Sequence, residues 1–263
     1  MRSKSTLHTY MAFQFRAEWR TTIFWTIGLC IYAGLVVSIY PSVRSAVNLD
    51  AIPPNLRAAF NITDFTQLAS FLSTQLLGVI LPLILPFYGM IMLSNVVAGA
   101  EERGRLDILL GNPIPRSNLI IGMFAVAAAY LLAIVFVIGL VIWSVASLQN
   151  LTLNLPQTLR ATFTLWPLSI AFAALALAVS TVARQRSIAL GVPAAILFLM
   201  YLLNVIGRLA PSISWVRYAS AYNYYGTAIV DGIWWTGVVV LLTSTVLLLL
   251  FAIAAFNRRD IFA

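Results

Sequence analysis

The 263-residue chain is 61% hydrophobic and only 9% charged, with a mean hydropathy of +0.94. A water-soluble domain of this size needs a more polar surface, so the composition excludes a soluble domain and predicts a polytopic membrane protein. The formal net charge of +8 is spread over short segments and forms no basic stripe, so we expect no nucleic-acid partner. Cys30 and His8 are the only residues of their types, which argues against an intrachain disulfide or a Cys-rich metal site. We therefore expect no cofactor or metal in this chain.

The first 20 residues predict an amphipathic helix in the cytoplasmic interface. Apolar side chains recur every four residues, while arginines lie on another face. A simple membrane-anchoring segment, with aromatic and basic residues at headgroup depth, explains the same pattern. The apolar positions are Leu7, Met11, Phe15 and Trp19.

Six long apolar segments follow, and none contains Asp, Glu, Lys, Arg or His. A hydrocarbon core about 30 Å thick needs roughly 20 residues of helix. We therefore predict an all-α fold with six transmembrane helices in one domain over residues 21–263. Prolines in the second and fifth segments, Pro82, Pro86 and Pro193, predict bends. The segments are 21–40, 68–98, 118–148, 163–183, 187–206 and 233–256.

The distribution of Lys and Arg predicts the orientation. Eleven of them lie in segments on the same side as the two termini, and five lie on the other side. Because basic residues concentrate in cytoplasmic loops, both termini are predicted to be cytoplasmic.

The loop at residues 99–117 carries the densest charge in the chain. Five of the seven positions from Glu101 to Asp107 are charged. Acidic residues at its start, the i, i+4 pair Glu101 and Arg105, and a stop at Gly111 predict a helix from about Ala100 to Leu110. A solvated turn that merely fixes topology is the alternative. The apolar stripe of this helix would be Leu106, Leu109 and Leu110.

Between the fifth and sixth segments, aromatic rings occur at spacings i, i+3, i+7 and i+10. This spacing places them on one face of a continuous helix. A belt at headgroup depth is the favoured interpretation, and a gate lining the exit of a pathway is the alternative. The rings belong to Trp215, Tyr218, Tyr222 and Tyr225.

The loop motif resembles that of ABC-2 type permeases, the membrane subunits of ATP-binding-cassette exporters. The similar residues run from Glu102 through Gly104, Leu106, Asp107, Leu109 and Leu110 to Pro113 and Arg116. The ending Phe256-Asn257-Arg258-Arg259-Asp260-Ile261 also resembles one branch of that family. Arg105 and Met123 depart from the family pattern, which more often has Thr and Lys there.

This resemblance implies a coupling helix that docks on a separate ATPase subunit. The residues carried over are Glu101, Glu102, Arg103, Gly104, Arg105, Leu106, Asp107, Leu109 and Leu110. It further implies that the ATPase binds ATP and Mg, and that the protein lies in a prokaryotic plasma (inner) membrane. Because six spans are few for a translocation path, we expect the path to form between two copies of this chain, with two ATPase copies.

The chain contains no Gly-x-x-x-x-Gly-Lys-Ser/Thr run, so we expect a transport subunit without ATPase activity of its own rather than an enzyme. The expected solute is amphipathic or hydrophobic, such as an antibiotic, a drug or a lipid-like molecule, because the spans offer no charge to recognise an ion. The alternatives are a membrane anchor or assembly subunit, and a permease serving copper-enzyme maturation. A secondary transporter ranks third.

Overall fold

The computed structural model describes residues 2–46, 67–104 and 115–258. Within these ranges the chain is helical and contains no strand. The elements are α1 (Arg2–Ala46), α2 (Leu68–Ser94), α3 (Ala98–Glu102), α4 (Arg116–Leu148), α5 (Leu155–Phe163), α6 (Leu165–Val182), α7 (Arg186–Leu209), a 3-10 helix (Pro211–Ala219), α8 (Ala221–Tyr225), α9 (Ala228–Asp231) and α10 (Trp235–Arg258).

Six helical segments of the described chain are long and apolar enough to cross a membrane. They are α1 from Glu18 onward, α2, α4, α5 together with α6, α7 and α10. The predicted all-α class and the six apolar spans are thereby confirmed. The second span ends at Ser94, four residues earlier than predicted, and the fourth begins at Leu155, with a break at Thr164 between α5 and α6.

Helix α1 is one continuous element of 45 residues. The prediction of a separate interface helix over residues 1–20 is therefore wrong in its boundary. No glycine or proline lies between Arg2 and Ile27, so no residue interrupts helix propagation where the break was expected.

Spans α2 and α6 form the centre of the bundle. The most apolar window of the α5–α6 span is 78% buried and that of α2 is 61% buried, against 22% for α7 and for α10. Gly89 explains how closely the two central helices approach, because a Cβ there would lie 2.8 Å from the Cβ of Ala173 and 3.1 Å from Leu131 Cδ1. Helices α1, α7 and α10 consequently keep wide apolar faces on the outside of the bundle.

Helix α2 contains a π-helical turn at Leu76–Ile80, directly before Pro82. In this turn a Cβ on Gly78 would lie 2.6 Å from the carbonyl oxygen of Ser73. Glycine is therefore the residue that fits the turn. Pro82 has no N–H to donate to the carbonyl of Gly78, and the wider turn lies where that bond is missing.

Pro86 likewise leaves the carbonyl of Pro82 without its helical partner. The hydroxyl of Tyr222, which comes from a different part of the chain, donates a hydrogen bond of 3.1 Å to that oxygen. Tyr222 is only 3% exposed. A backbone group freed inside the membrane must find a partner within the protein, and Tyr222 supplies it.

We expect Tyr222→Phe to lower the stability of the bundle by about 1–3 kcal/mol, because it leaves the buried carbonyl of Pro82 unsatisfied while keeping the ring. Thermal unfolding in detergent micelles, followed by intrinsic fluorescence, measures the effect. Tyr218→Phe is the matched control, since Tyr218 is 69% exposed. Equal melting temperatures of the two variants would contradict the role given to Tyr222.

Candidate functional site

The charged loop begins at an elbow (residues 94–104), where α2 ends at Ser94 and α3 starts at Ala98. The break separates the carbonyl of Ser94 from the amide of Ala98. Ser180, on α6, accepts a hydrogen bond of 3.0 Å from the Ala98 N–H and donates one of 3.2 Å to the Ser94 carbonyl. Ser94 and Ser180 are fully buried. The Ser180 hydroxyl of α6 thus forms hydrogen bonds with backbone groups on both sides of the elbow.

Arg103 folds back across α3 onto the end of α2. Its Nε donates to the Gly99 carbonyl at 2.8 Å, and its Nη2 donates to Asn95 Oδ1 at 3.0 Å. Asn95 is oriented in turn by a bond of 2.9 Å from its Nδ2 to the Ile91 carbonyl. A Cβ on Gly99 would lie 2.7 Å from Asn95 Oδ1, so the glycine leaves room for this pair.

Glu102 joins the elbow to α7. Its Oε2 accepts a hydrogen bond of 2.9 Å from the backbone N–H of Arg186, the first residue of that helix. The first amides of a helix have no partner within the helix and carry partial positive charge, so a carboxylate is favourable there. Glu102 is nevertheless exposed, which leaves the contact open to competition.

Helix α1 reaches the same region through Glu18. This carboxylate is half-buried and interacts electrostatically with Arg103. One turn further on, Thr22 Oγ1 lies 2.7 Å from the Tyr88 hydroxyl of α2. Glu18 is not among the predicted site residues, because the first predicted span begins at residue 21. The available signal was that Glu18 is the only acidic residue before Asp50.

The predicted continuous helix from Ala100 to Leu110 is not observed, because α3 ends at Glu102. Gly104 adopts φ +64°, a left-handed conformation that terminates helices and favours glycine. Of the predicted coupling residues, the structure thus places Glu101 and Glu102 in the last turn of α3 and Arg103 and Gly104 in the turn that follows. The remaining ones, Arg105, Leu106, Asp107, Leu109 and Leu110, lie outside the described residues.

The other end of the charged loop is attached to α10. Arg116 Nη1 donates a hydrogen bond of 3.4 Å to the Phe256 carbonyl, and the guanidinium lies 5.8 Å from the centre of the Phe256 ring. Phe256 is fully buried. The loop therefore leaves one end of α2 and returns to a contact between α4 and α10.

The four aromatic residues do not share one helical face, which corrects that prediction. Trp215 and Tyr218 are 68% and 69% exposed, whereas Tyr222 and Tyr225 are 3% and 8% exposed. The first two lie in the 3-10 helix, and Ser220 is extended (φ −98°, ψ 131°) before α8 begins. A spacing of i, i+3, i+7 and i+10 aligns side chains only along an unbroken α-helix.

The buried pair belongs to a segment that closes the end of the bundle opposite the elbow, here called the far end. Ser220 Oγ donates a hydrogen bond of 2.6 Å to the Met200 carbonyl of α7, and the Tyr222 ring lies 5.3 Å from that of Tyr201. Burial raises the pKa of the Tyr222 and Tyr225 hydroxyls, so both stay protonated. Of these four aromatic residues, Tyr222 and Tyr225 are packing residues, and Trp215 and Tyr218 remain available to contact lipid headgroups.

Comparison with known proteins gives one family. No curated protein matches the chain. The profile described as multidrug efflux system permease Rv1217c, C-terminal domain, matches residues 7–257, a range that includes the elbow and nearly all of the six apolar spans. The chain is therefore an integral membrane protein that belongs to this family of efflux-system permeases.

Proposed function

We propose that the chain is the membrane subunit of an ATP-driven exporter of the ABC-2 type. It works as a dimer, receives mechanical work from separate ATPase subunits that bind ATP and Mg, and moves an amphipathic or hydrophobic solute outward across a prokaryotic inner membrane. The observation that carries the proposal is the elbow, a short charged helix bonded to several spans at once. Membership of an efflux permease family supports the outward direction.

The contacts of the elbow suit the transmission of force. Ser180 links it to α6, Glu102 links it to α7, and Arg103 links it to α2 and, electrostatically, to α1. A displacement of α3 therefore acts on four spans together. Glu102, Arg103 and Gly104 are exposed, so they offer a polar surface of the kind used in reversible protein interfaces.

The nature of the solute follows from the spans. The charged residues of the described spans, such as Glu18, Arg116 and Arg208, lie near the ends of the spans, and the segments between them are apolar. Such a surface recognises shape and hydrophobicity better than it recognises charge. Amphipathic drugs and lipid-like molecules fit this surface.

Reconstitution tests the proposal. The chain is co-expressed with the ATPase encoded beside it, and both are placed in proteoliposomes with ethidium or a Hoechst dye as the transported probe. We expect dye movement that requires ATP and both proteins. ATP hydrolysis without dye movement would instead favour an anchoring role or copper-enzyme maturation.

A proton-driven exchanger is the second candidate, because Glu18 places a half-buried carboxylate beside Tyr88 and Arg103. The chain alone, in liposomes with an imposed pH gradient, distinguishes the two. Dye movement that is lost in Glu18→Gln would support proton exchange and overturn the ATP-driven proposal. The ATP-driven proposal expects no movement in this assay.

We expect Glu102→Ala to reduce ATP-dependent dye transport by about threefold or more while the complex still assembles, because the first amides of α7 lose their link to the elbow. Glu102→Gln keeps an acceptor oxygen and should retain most of the activity. Transport rates and co-purification of the ATPase are the measurements. An unchanged transport rate in Glu102→Ala would show that transport does not depend on this contact.

We expect Gly99→Ala to uncouple ATP hydrolysis from transport. The added methyl displaces Asn95 Oδ1 and breaks its hydrogen bond to Arg103. If that bond is worth ~1 kcal/mol, the amount of dye transported per ATP should fall about fivefold. Alanine favours the helix more than glycine does, so the fold should persist. Gly28→Ala is the matched control, because a Cβ at that helical position meets nothing within 4 Å. Equal coupling ratios in the two variants would contradict a role for the Asn95–Arg103 pair.

A further inference from the structure

A small polar cavity lies at the far end of the bundle, between α7 and the segment that follows it. Its volume is about 40 Å³, enough for a few water molecules or one small polar group but too little for a drug molecule. The proposed function, which uses the elbow and the apolar faces of the bundle, assigns this cavity no role. Its polar lining includes Tyr201, Asn204 and Arg208 of α7 together with Tyr222, Tyr225 and Thr227.

Buried polar groups of this lining have no partner in the described structure. Asn204 is 7% exposed, and its Oδ1 makes no hydrogen bond. The Nε of Arg208 is also buried without a partner, and so is the Nε of the nearby Arg217. Buried donors and acceptors are almost always satisfied, so the unpaired Asn204 acceptor and Arg208 donor of the lining indicate a missing binding partner. The unpaired Arg217 donor lies close by but does not line the cavity.

No carboxylate among the described residues compensates the positive charges at this position. Arg208 and Arg217 lie close enough for their positive charges to act on each other. The side chain of Arg217 packs on Gly207, and its Nη2 donates to the neutral amide oxygen of Asn223 at 3.0 Å. No carboxylate of the described residues forms a salt bridge with either arginine. Holding two like charges together in a partly desolvated place is unfavourable unless an anion joins them.

The end of α7 compensates for only part of this charge. Arg208 lies in the last turn of the helix, where the helix dipole favours a cation. That dipole amounts to roughly half a charge, against two full charges here. The helix dipole also provides no hydrogen-bond acceptor for the buried Nε atoms.

We propose that this cavity binds one oxyanion of the phosphate class. Arg208 supplies a charged donor that lines the cavity, Arg217 supplies the second positive charge, and the Tyr201 hydroxyl and the Asn204 Nδ2 group supply neutral donors. The unpaired Asn204 Oδ1 accepts from a hydroxyl of the ligand, either a P–OH of phosphate or a hydroxyl of a lipid headgroup. Two guanidinium groups match the charge and the several oxygens of a phosphate better than those of a neutral ligand. The phosphate is either part of a lipid headgroup or free in solution.

The test measures the melting temperature of the purified full-length protein in detergent. Three probes are compared in a chloride buffer of matched ionic strength: inorganic phosphate, phosphatidylglycerol and diacylglycerol, which lacks the phosphate. We expect a saturable rise of about 3 °C or more with a phosphate-bearing probe and none with diacylglycerol. A rise with phosphatidylglycerol alone identifies a lipid headgroup, and a rise with both phosphate probes identifies a general oxyanion site.

The variants locate the effect. Arg208→Gln and Arg217→Gln should lose the rise, whereas Arg160→Gln, which removes an arginine of α5 that does not line the cavity, should keep it. Asn204→Asp places an internal carboxylate in the cavity, so this variant should melt higher than the native protein without phosphate and respond to phosphate less. It keeps the test decisive if the arginine variants fail to fold.

The proposal is overturned if neither phosphate probe shifts the melting temperature of the native protein. Asp50→Asn and Asp64→Asn, in a segment outside the described residues, then show whether removing a carboxylate of the chain creates a phosphate response. In that case a carboxylate of the chain itself occupies the place assigned to phosphate.

Discussion

The buried hydroxyl of Ser180 is the contact on which the arrangement of the elbow depends. A helix that breaks inside an apolar bundle leaves a carbonyl and an amide without partners, and neither lipid nor apolar side chains can satisfy them. Ser180 satisfies the Ser94 carbonyl and the Ala98 amide at once, from the most buried span. Because the start of α3 is fixed in this way, Arg103 can fold back to Asn95, and Glu102 reaches the first residue of α7.

The same solution recurs in the middle of α2. There the carbonyl of Pro82 loses its helical partner to Pro86, and the Tyr222 hydroxyl replaces that partner from the segment between α7 and α10. Helix α2 therefore has two backbone irregularities, each satisfied by a side chain from another part of the chain. The π-turn around Gly78 adds a third, next to Pro82. Helix α2 is thus held at its middle, at Pro82, and at its elbow end, at Ser94, by side chains of other elements.

Local patterns predicted the spans, and long-range contacts determined the site. The six apolar segments were identifiable because hydrophobicity and the absence of charge are properties of short windows. The charged loop was identified as the candidate site in the same way. Its helix was predicted too long because the φ of Gly104 is not visible in its residue type alone. The bond from Ser180 to Ala98 joins residues 82 positions apart, and no local pattern contains it. The aromatic spacing failed for a related reason, since it assumed one helix type across Ser220.

The elbow combines two kinds of contact that differ in permanence. The Ser180 contact is fully buried, so breaking it leaves polar groups in an apolar interior, and it behaves as a fixed pivot. The Glu102 contact is exposed, where water and ions weaken electrostatic interactions, so it opens and closes at little cost. A docking partner with a basic side chain can compete for Glu102 and release the N-terminus of α7 without disturbing the pivot. In the proposed function, a buried contact on α6 together with an exchangeable one on α7 would let α3 move α7 relative to α6. A uniformly buried or a uniformly exposed elbow would not allow this.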